Sequence, residues 1–208
     1  MLVTLVAAYL VSAVVTPTRW GGAVHVAFLA AIGLLALRNA QLRPRFTRLA
    51  AAIVLVTAVV AGFCSASGNK TAEGLADLWG GLLLLLTVLV IVNRVLRLVE
   101  VTAQSIYAAL SAYLLIGLMF TEFFAALNVL VPGQFFAGGQ PANSQTLQYF
   151  SFTTLTTLGY GDFTAIGSLG RAVAVLEALT GQVFLATLVA RLVSAYRGTG
   201  RRAPPPGE

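Results

Sequence analysis

The stretch Thr156-Thr157-Leu158-Gly159-Tyr160-Gly161-Asp162 decides how this chain of 208 residues is interpreted. Its two glycines alternate with larger residues, and glycine adopts positive φ without a Cβ clash. A backbone that alternates in hand turns successive carbonyl groups toward one axis. Gly159 and Gly161 therefore predict a short irregular strand that presents a row of carbonyl oxygens.

Carbonyl oxygens in rings replace the hydration shell of a K⁺ ion when four such loops surround one axis. Thr157 would add a hydroxyl oxygen at the inner end of the row, and Tyr160 would pack outward. Leu158 would contribute its carbonyl while its side chain packs behind the strand. A helix-breaking turn that arose by chance is the alternative, so the flanking sequence has to contain the helices that such a pore needs.

The overall composition is that of an integral membrane protein. Hydrophobic residues make up 58% of the chain and charged residues 10%, and the mean hydropathy is +0.88. Several apolar runs approach the length that spans a bilayer. We predict six crossings: Leu2–Val15, Trp20–Leu37, Leu49–Cys64, Leu75–Leu98, Gln104–Val131 and Gly170–Tyr196.

The basic residues predict the orientation, because Lys and Arg collect in short cytoplasmic loops. With both termini cytoplasmic in the plasma membrane, Arg19, Lys70 and Arg171 fall outside and the other ten basic residues fall inside: Arg38, Arg43, Arg45, Arg48, Arg94, Arg97, Arg191, Arg197, Arg201 and Arg202. This placement explains the net charge of +6 without nucleic acid. The groups Arg38–Arg48 and Arg197–Arg202 could meet anionic membrane lipids.

Several other functions find no support in the sequence. Cys64 is the single cysteine, so neither an intrachain disulfide nor a thiolate metal cage is expected. The chain contains no phosphate loop, metal-ligand spacing or catalytic triad, which argues against an enzyme and against a bound cofactor. The first run is interpreted as a helix because it lacks a basic leader and a clear cleavage site. His25 is interpreted as a histidine satisfied within the bundle.

From about Thr102 to Tyr196 the chain resembles the pore module of the potassium channel superfamily. The segments follow the family order: an outer helix over Gln104–Val131, a turret over Pro132–Pro141 for which no secondary structure is expected, a pore helix capped by Asn143 or Ser144, the filter, and an inner helix. The resemblance implies an all-α membrane protein. It divides the chain into a four-helix domain (1–100), a pore domain (101–197) and a short cytoplasmic tail (198–208).

The resemblance also implies roles for single residues. Carbonyls of residues 157–161 and the Thr157 hydroxyl would bind K⁺ as the permeant ion, in a homotetramer because each chain carries one filter strand. Thr156 and Asp162 would support the filter. Tyr149 and Phe150 stand where many members have an aromatic cuff. Thr153 replaces a glutamate that some members couple to the acid after the filter, so we expect a different clamp there.

Two positions on the inner helix are further candidates. Glu177 is an ionisable residue in an apolar helix, which makes it a functional candidate; we expect it to hydrogen-bond Thr153 or Thr154 rather than to face the cavity. Gly181 lies at the family's gating hinge, although a small residue also permits close helix packing. Glu122 is expected to be solvated or interfacial. Thr180, Phe184 and Thr187 are weaker candidates for lining the cavity.

The segment before the pore lacks the arginine ladder of a voltage sensor, since Arg94 and Arg97 both lie at one end of Leu75–Leu98. We therefore expect weak or absent voltage gating. Three alternatives stay open at this stage: a weakly selective cation channel, a transporter with a re-entrant loop, and a modulatory subunit that joins other pore chains.

Overall fold

The computed structural model describes residues 70–97 and 102–199, and this part of the chain is helical. It forms four helices: α1 (Lys70–Arg97), α2 (Ala103–Leu130), α3 (Ser144–Leu155) and α4 (Ser168–Thr199). The predicted helices Leu2–Val15, Trp20–Leu37 and Leu49–Cys64 lie outside the described residues, as do His25 and the tail after residue 199.

Three of these helices are long and apolar enough to cross a membrane. The qualifying segments are Lys70–Asn93, Ala103–Leu130 and Ser168–Ser194. They correspond to the last three predicted runs. α1 already includes Lys70, five residues before the predicted Leu75.

α1 and α2 form an antiparallel pair. Leu130 lies against Gly74 and Phe123 lies against Gly81, so the beginning of α1 meets the end of α2. Thr102 starts α2 with a capping box that it shares with Ser105. The interface between the two helices supplies much of the buried apolar core.

α2 is the central helix of the described region, and α4 is the most exposed of the three long helices. Within the apolar window of α2, 67% of residues are buried, against 22% for α1 and 11% for α4. The hydrophobic surface of α4 therefore needs a partner beyond the residues that the structure describes.

Glu122 is buried, with 4% of its surface exposed, so the expectation of a solvated or interfacial acid is wrong. The residue lies on the side of α2 that faces α1, and a Cβ placed on Gly80 would be 3.4 Å from its Oε2 atom. Position near a helix end suggested contact with water, but the neighbouring helix covers this face.

The turret contains local structure that the sequence did not predict. Phe136 and Ala165 form an isolated antiparallel bridge, with the Ala137 amide donating to the Thr164 carbonyl at 2.8 Å and the Ile166 amide to the Phe135 carbonyl at 3.0 Å. The expectation of a turret without secondary structure is therefore wrong. The partners are far apart in sequence, so no local pattern indicates the pairing.

Candidate functional site

α3 is a short helix whose N-terminus is capped by Asn143. The Asn143 Oδ1 atom accepts from the Thr146 amide at 2.9 Å, and the Thr146 hydroxyl oxygen accepts from the Asn143 amide at 3.0 Å. This reciprocal box confirms Asn143 as the cap. The helix has 12 residues, ends at Leu155 and directs its C-terminal carbonyls toward the strand that follows.

The stretch after α3 has the alternating backbone that its glycines predict. Gly159 has φ of 49° and Gly161 has φ of 81°, and Thr157 has φ of 57°. Every second residue from 157 to 161 is therefore left-handed. The Thr157 value was not predicted, since this conformation costs a non-glycine residue about 1–3 kcal/mol and is seen mainly where surrounding structure imposes it.

Carbonyls at the end of α3 hold this strand. The Thr153 carbonyl accepts from the Leu158 amide at 2.9 Å and from the Gly159 amide at 3.1 Å, and the Thr154 carbonyl accepts from the Thr157 amide at 2.9 Å. All residues of 156–162 are exposed in the single chain, and Tyr160 retains 68% of its surface. The strand thus lies on an open face of the protomer.

Gln182 is a neighbour of the filter strand that sequence reasoning missed. Its Nε2 atom donates to the Thr157 hydroxyl oxygen at 3.3 Å, and the Thr157 hydroxyl donates to the Thr156 carbonyl at 2.7 Å. A polar residue one position after Gly181 on an apolar helix is the signal that could have identified it.

The three weaker cavity candidates lie on the opposite side of α4 from Gln182. At 100° per residue, Thr180, Phe184 and Thr187 are about 140–160° away from it. They line an apolar crevice of about 520 Å³ between α1, α2 and α4, and the Phe184 ring packs at 5.8 Å from Tyr113. Their role in lining a pore cavity stays a prediction.

At the other end of the strand, Asp162 is held by groups that the sequence did not single out. Its carbonyl accepts from the Gln140 amide at 2.9 Å, and its Oδ1 atom accepts from the Phe163 amide at 3.1 Å. Desolvation raises the pKa of the Tyr149 phenol, and the hydrogen bond and negative charge of the Asp162 carboxylate raise it further. The Thr153 hydroxyl instead donates to the Phe150 carbonyl.

An aromatic cluster surrounds the outer part of α3. Phe150 contacts Phe124 of α2 at a ring separation of 5.0 Å and Phe136 of the turret at 5.5 Å. Phe163, just after the strand, contacts both Phe136 and Tyr149. The cluster joins the turret, the outer helix and the segment after the strand, which explains why Phe136 is fully buried.

Glu177 reaches α3 but not through the predicted partners. Its Oε1 atom lies 2.5 Å from the Ser151 hydroxyl oxygen, which also lies 2.7 Å from the Gly117 carbonyl oxygen of α2. Contact with Thr153 or Thr154 was wrong because the buried face of α3 that meets α4 carries Gln148, Ser151 and Leu155. A polar residue on that face, spaced one turn from Leu155, was the available signal.

Gly181 permits close contact between α4 and the end of α3. A Cβ atom at this position would lie 2.4 Å from the Leu155 carbonyl oxygen, so any side chain requires one helix to move. α4 continues as one helix through this residue. The close-packing interpretation of Gly181 is therefore confirmed, and its role as a gating hinge stays a prediction.

Comparisons with known proteins find a similarity for the part of the chain that contains this site. Residues 142–197 match the family described as an ion channel, and this segment contains α3, the exposed strand and nearly all of α4. In the same comparisons, no curated protein and no solved structure matches the chain. Residues 142–197 are thus similar to the pore-loop ion channel superfamily, and this match supports an ion channel.

Proposed function

We propose that this protein is a potassium-selective channel that conducts K⁺ passively through the strand Thr157–Gly161. The observation that carries the proposal is the alternation of left-handed residues at Thr157, Gly159 and Gly161. This alternation suits a row of carbonyl oxygens that replace the water around K⁺. K⁺ is then the permeant ion, and the proposal requires no other cofactor.

A homotetramer follows from the same argument. One chain supplies one strand, whereas a filter requires four strands around the ion. The exposure of residues 156–162 and of the apolar surface of α4 supports an assembly that covers both. The residues before the pore would form a peripheral domain in contact with membrane lipids. We further propose a plasma-membrane location, with both termini cytoplasmic and the turret outside.

The test is the reversal potential of the purified protein in a planar bilayer with KCl on one side and NaCl on the other. Wild type should reverse near the K⁺ limit, and Gly159→Ala should abolish this selectivity because alanine is strained at φ of 49°. Gly167→Ala is the matched control, since its added Cβ meets nothing within 4 Å. Reversal near zero in the wild type would contradict the proposal.

A weakly selective cation channel is the second candidate. The reason to consider it is the set of residues that contact Asp162. Here Gln140 and Tyr149 hold the outer end of the strand, and selectivity depends on the flexibility of the filter as well as on its oxygens. A wild-type reversal near zero with robust cation current would support this candidate. Absence of current under all conditions would favour a transporter or a modulatory subunit.

A further inference from the structure

A buried polar junction joins α2, α3 and α4 behind the filter strand. It consists of Glu177, Ser151 and the carbonyl group of Gly117. Glu177 and Ser151 each have 0% of their surface exposed, and Gly117 is buried. The separations from the Ser151 oxygen are 2.5 Å to Glu177 and 2.7 Å to the Gly117 carbonyl. Both are short enough to be hydrogen bonds.

The number of hydrogen atoms that this junction can donate constrains the protonation state of Glu177. A serine hydroxyl has one hydrogen to donate, and a backbone carbonyl only accepts. If Glu177 were ionised it would also only accept, and a single hydrogen would have to serve two acceptors. One of the two short contacts would then join bare oxygen atoms. A neutral acid removes the conflict, because its O–H donates to Ser151, whose own hydrogen is then free for Gly117.

The second carboxyl oxygen of Glu177 also indicates an un-ionised side chain. Glu177 Oε2 is buried and has no hydrogen-bond partner within the described residues. Leaving an anionic oxygen without a donor costs much more than leaving a neutral carbonyl oxygen in that position.

The surrounding elements offer Glu177 no positive charge in the described region. The titratable group that α2 presents is the Tyr113 phenol, whose hydroxyl lies 3.3 Å from the Leu155 carbonyl oxygen. The face of α3 carries uncharged Gln148, Ser151 and Leu155. On α4 the nearest arginine in sequence is Arg171, whose Nε atom donates to the Ala165 carbonyl.

We propose that Glu177 is an un-ionised carboxylic acid that positions the pore helix α3. Its proton begins a directed hydrogen-bond chain, from α4 through the Ser151 hydroxyl to the Gly117 carbonyl of α2. The Thr121 hydroxyl donates to the same carbonyl, so the chain ends inside the outer helix. Glu177 is a positioning residue, since it contacts α3 and not the filter strand. Its effect on permeation rests on the proposed channel function, whereas its protonation does not.

The first experiment measures protonation without using channel activity. Infrared spectroscopy of the full chain in lipid vesicles at neutral pH should show the carbonyl-stretch band of an un-ionised carboxylic acid, reduced in Glu177→Gln. Glu73→Gln is the control, because this acid is exposed in the first turn of α1, and the variant should leave the band unchanged. A band that is absent in the wild type, or equally strong in Glu177→Gln, overturns the proposal.

The second experiment measures the positioning role by K⁺ flux from the same vesicles. Glu177→Leu removes the donor to the buried Ser151 oxygen and the link between α3 and α4, and it should lower flux about tenfold, the size expected for the loss of one buried hydrogen bond. Glu177→Gln keeps an uncharged donor and should recover most of the flux. Its pH profile between about pH 5 and pH 7 should match that of the wild type, because a glutamine does not titrate and the proposal keeps Glu177 un-ionised at neutral pH.

The outcomes separate this proposal from the proposed function. If Glu177→Gln loses as much flux as Glu177→Leu, the carboxylic acid does not act as an uncharged donor and the positioning role is overturned. If the wild type conducts no K⁺, the proposed function fails, while the infrared comparison still decides whether Glu177 is neutral.

Discussion

Thr157 is a residue of the filter strand that contacts the neighbouring helix α4. It is a β-branched residue at φ of 57°, a conformation that such residues rarely adopt. Two hydrogen bonds stabilise this backbone conformation. The Thr157 amide donates to the Thr154 carbonyl, and the Thr157 hydroxyl oxygen accepts from Gln182. The inner end of the strand therefore depends on α4 as well as on its own sequence.

Replacement of Gln182 should weaken the inner end of the strand. Gln182→Leu removes the amide donor to Thr157, and we expect K⁺ flux or the ratio of K⁺ to Na⁺ permeability to fall about two- to tenfold, the range for one modest hydrogen bond. Thr180→Val is the control, because the Thr180 hydroxyl donates to the Leu176 carbonyl of its own helix. Equal behaviour of the two variants in bilayer recordings would exclude this role for Gln182.

At the outer end, removal of the Tyr149 hydroxyl should loosen Asp162. The pKa of this phenol is raised, first by desolvation and then by the Asp162 carboxylate, so the neutral form is favoured in the folded protein. Any stabilisation should therefore be present below the ordinary tyrosine pKa of about 10 and be lost as the pH rises through the higher folded value.

The corresponding measurement compares wild type with Tyr149→Phe as a function of pH. At neutral pH, the variant should inactivate faster or select K⁺ less well. The difference between the two proteins should disappear in strongly alkaline solution. A difference that persists unchanged above the folded pKa would show that the hydroxyl does not act through its proton.

At the scale of elements, the position of the filter strand depends on how α3 fits between α2 and α4. Three contacts define that fit: the junction at Ser151, the aromatic cluster around Phe150, and the close approach of Gly181 to Leu155. Phe150 and Ser151 are neighbours in the middle of α3, and Leu155 is its last residue. The second half of the short helix is thus held, which suits a role in presenting its C-terminal carbonyls to the strand.

A side chain at position 181 should displace the end of α3. Gly181→Ala places a Cβ atom 2.4 Å from the Leu155 carbonyl oxygen, which requires backbone movement because that oxygen is not part of a flexible side chain. We expect at least a tenfold loss of K⁺ flux in vesicles, since overpacking typically costs about 1–3 kcal/mol. Gly167→Ala again serves as control, and normal flux in Gly181→Ala would contradict this packing argument.

For the whole molecule, the prediction concerns assembly. The exposed strand and the exposed apolar face of α4 cannot both remain uncovered in a functional pore. Native mass spectrometry of the protein in detergent should give four copies of the 21.8 kDa chain. An ion that binds only the assembled filter should also stabilise the tetramer, so exchange of K⁺ for a large organic cation should lower its dissociation temperature. A monomer or dimer would contradict the proposed pore.

The sequence by itself determined the membrane class, the pore-loop order and the positions of Gly159 and Gly161. These are properties of composition and of local backbone freedom, which neighbouring residues encode directly. It also located the α3 cap at Asn143 or its neighbour, because capping involves residues only three apart.

Tertiary structure decided the partners of the polar side chains. Ser151 rather than Thr153 or Thr154 meets Glu177, Gln182 contacts Thr157 of the strand, and Glu122 is buried rather than solvated. Each outcome depends on the rotation of one helix about its axis relative to another. That rotation is set by the packing of apolar surfaces far apart in the chain, so a periodic pattern restricts it to a face but does not identify the residue in contact.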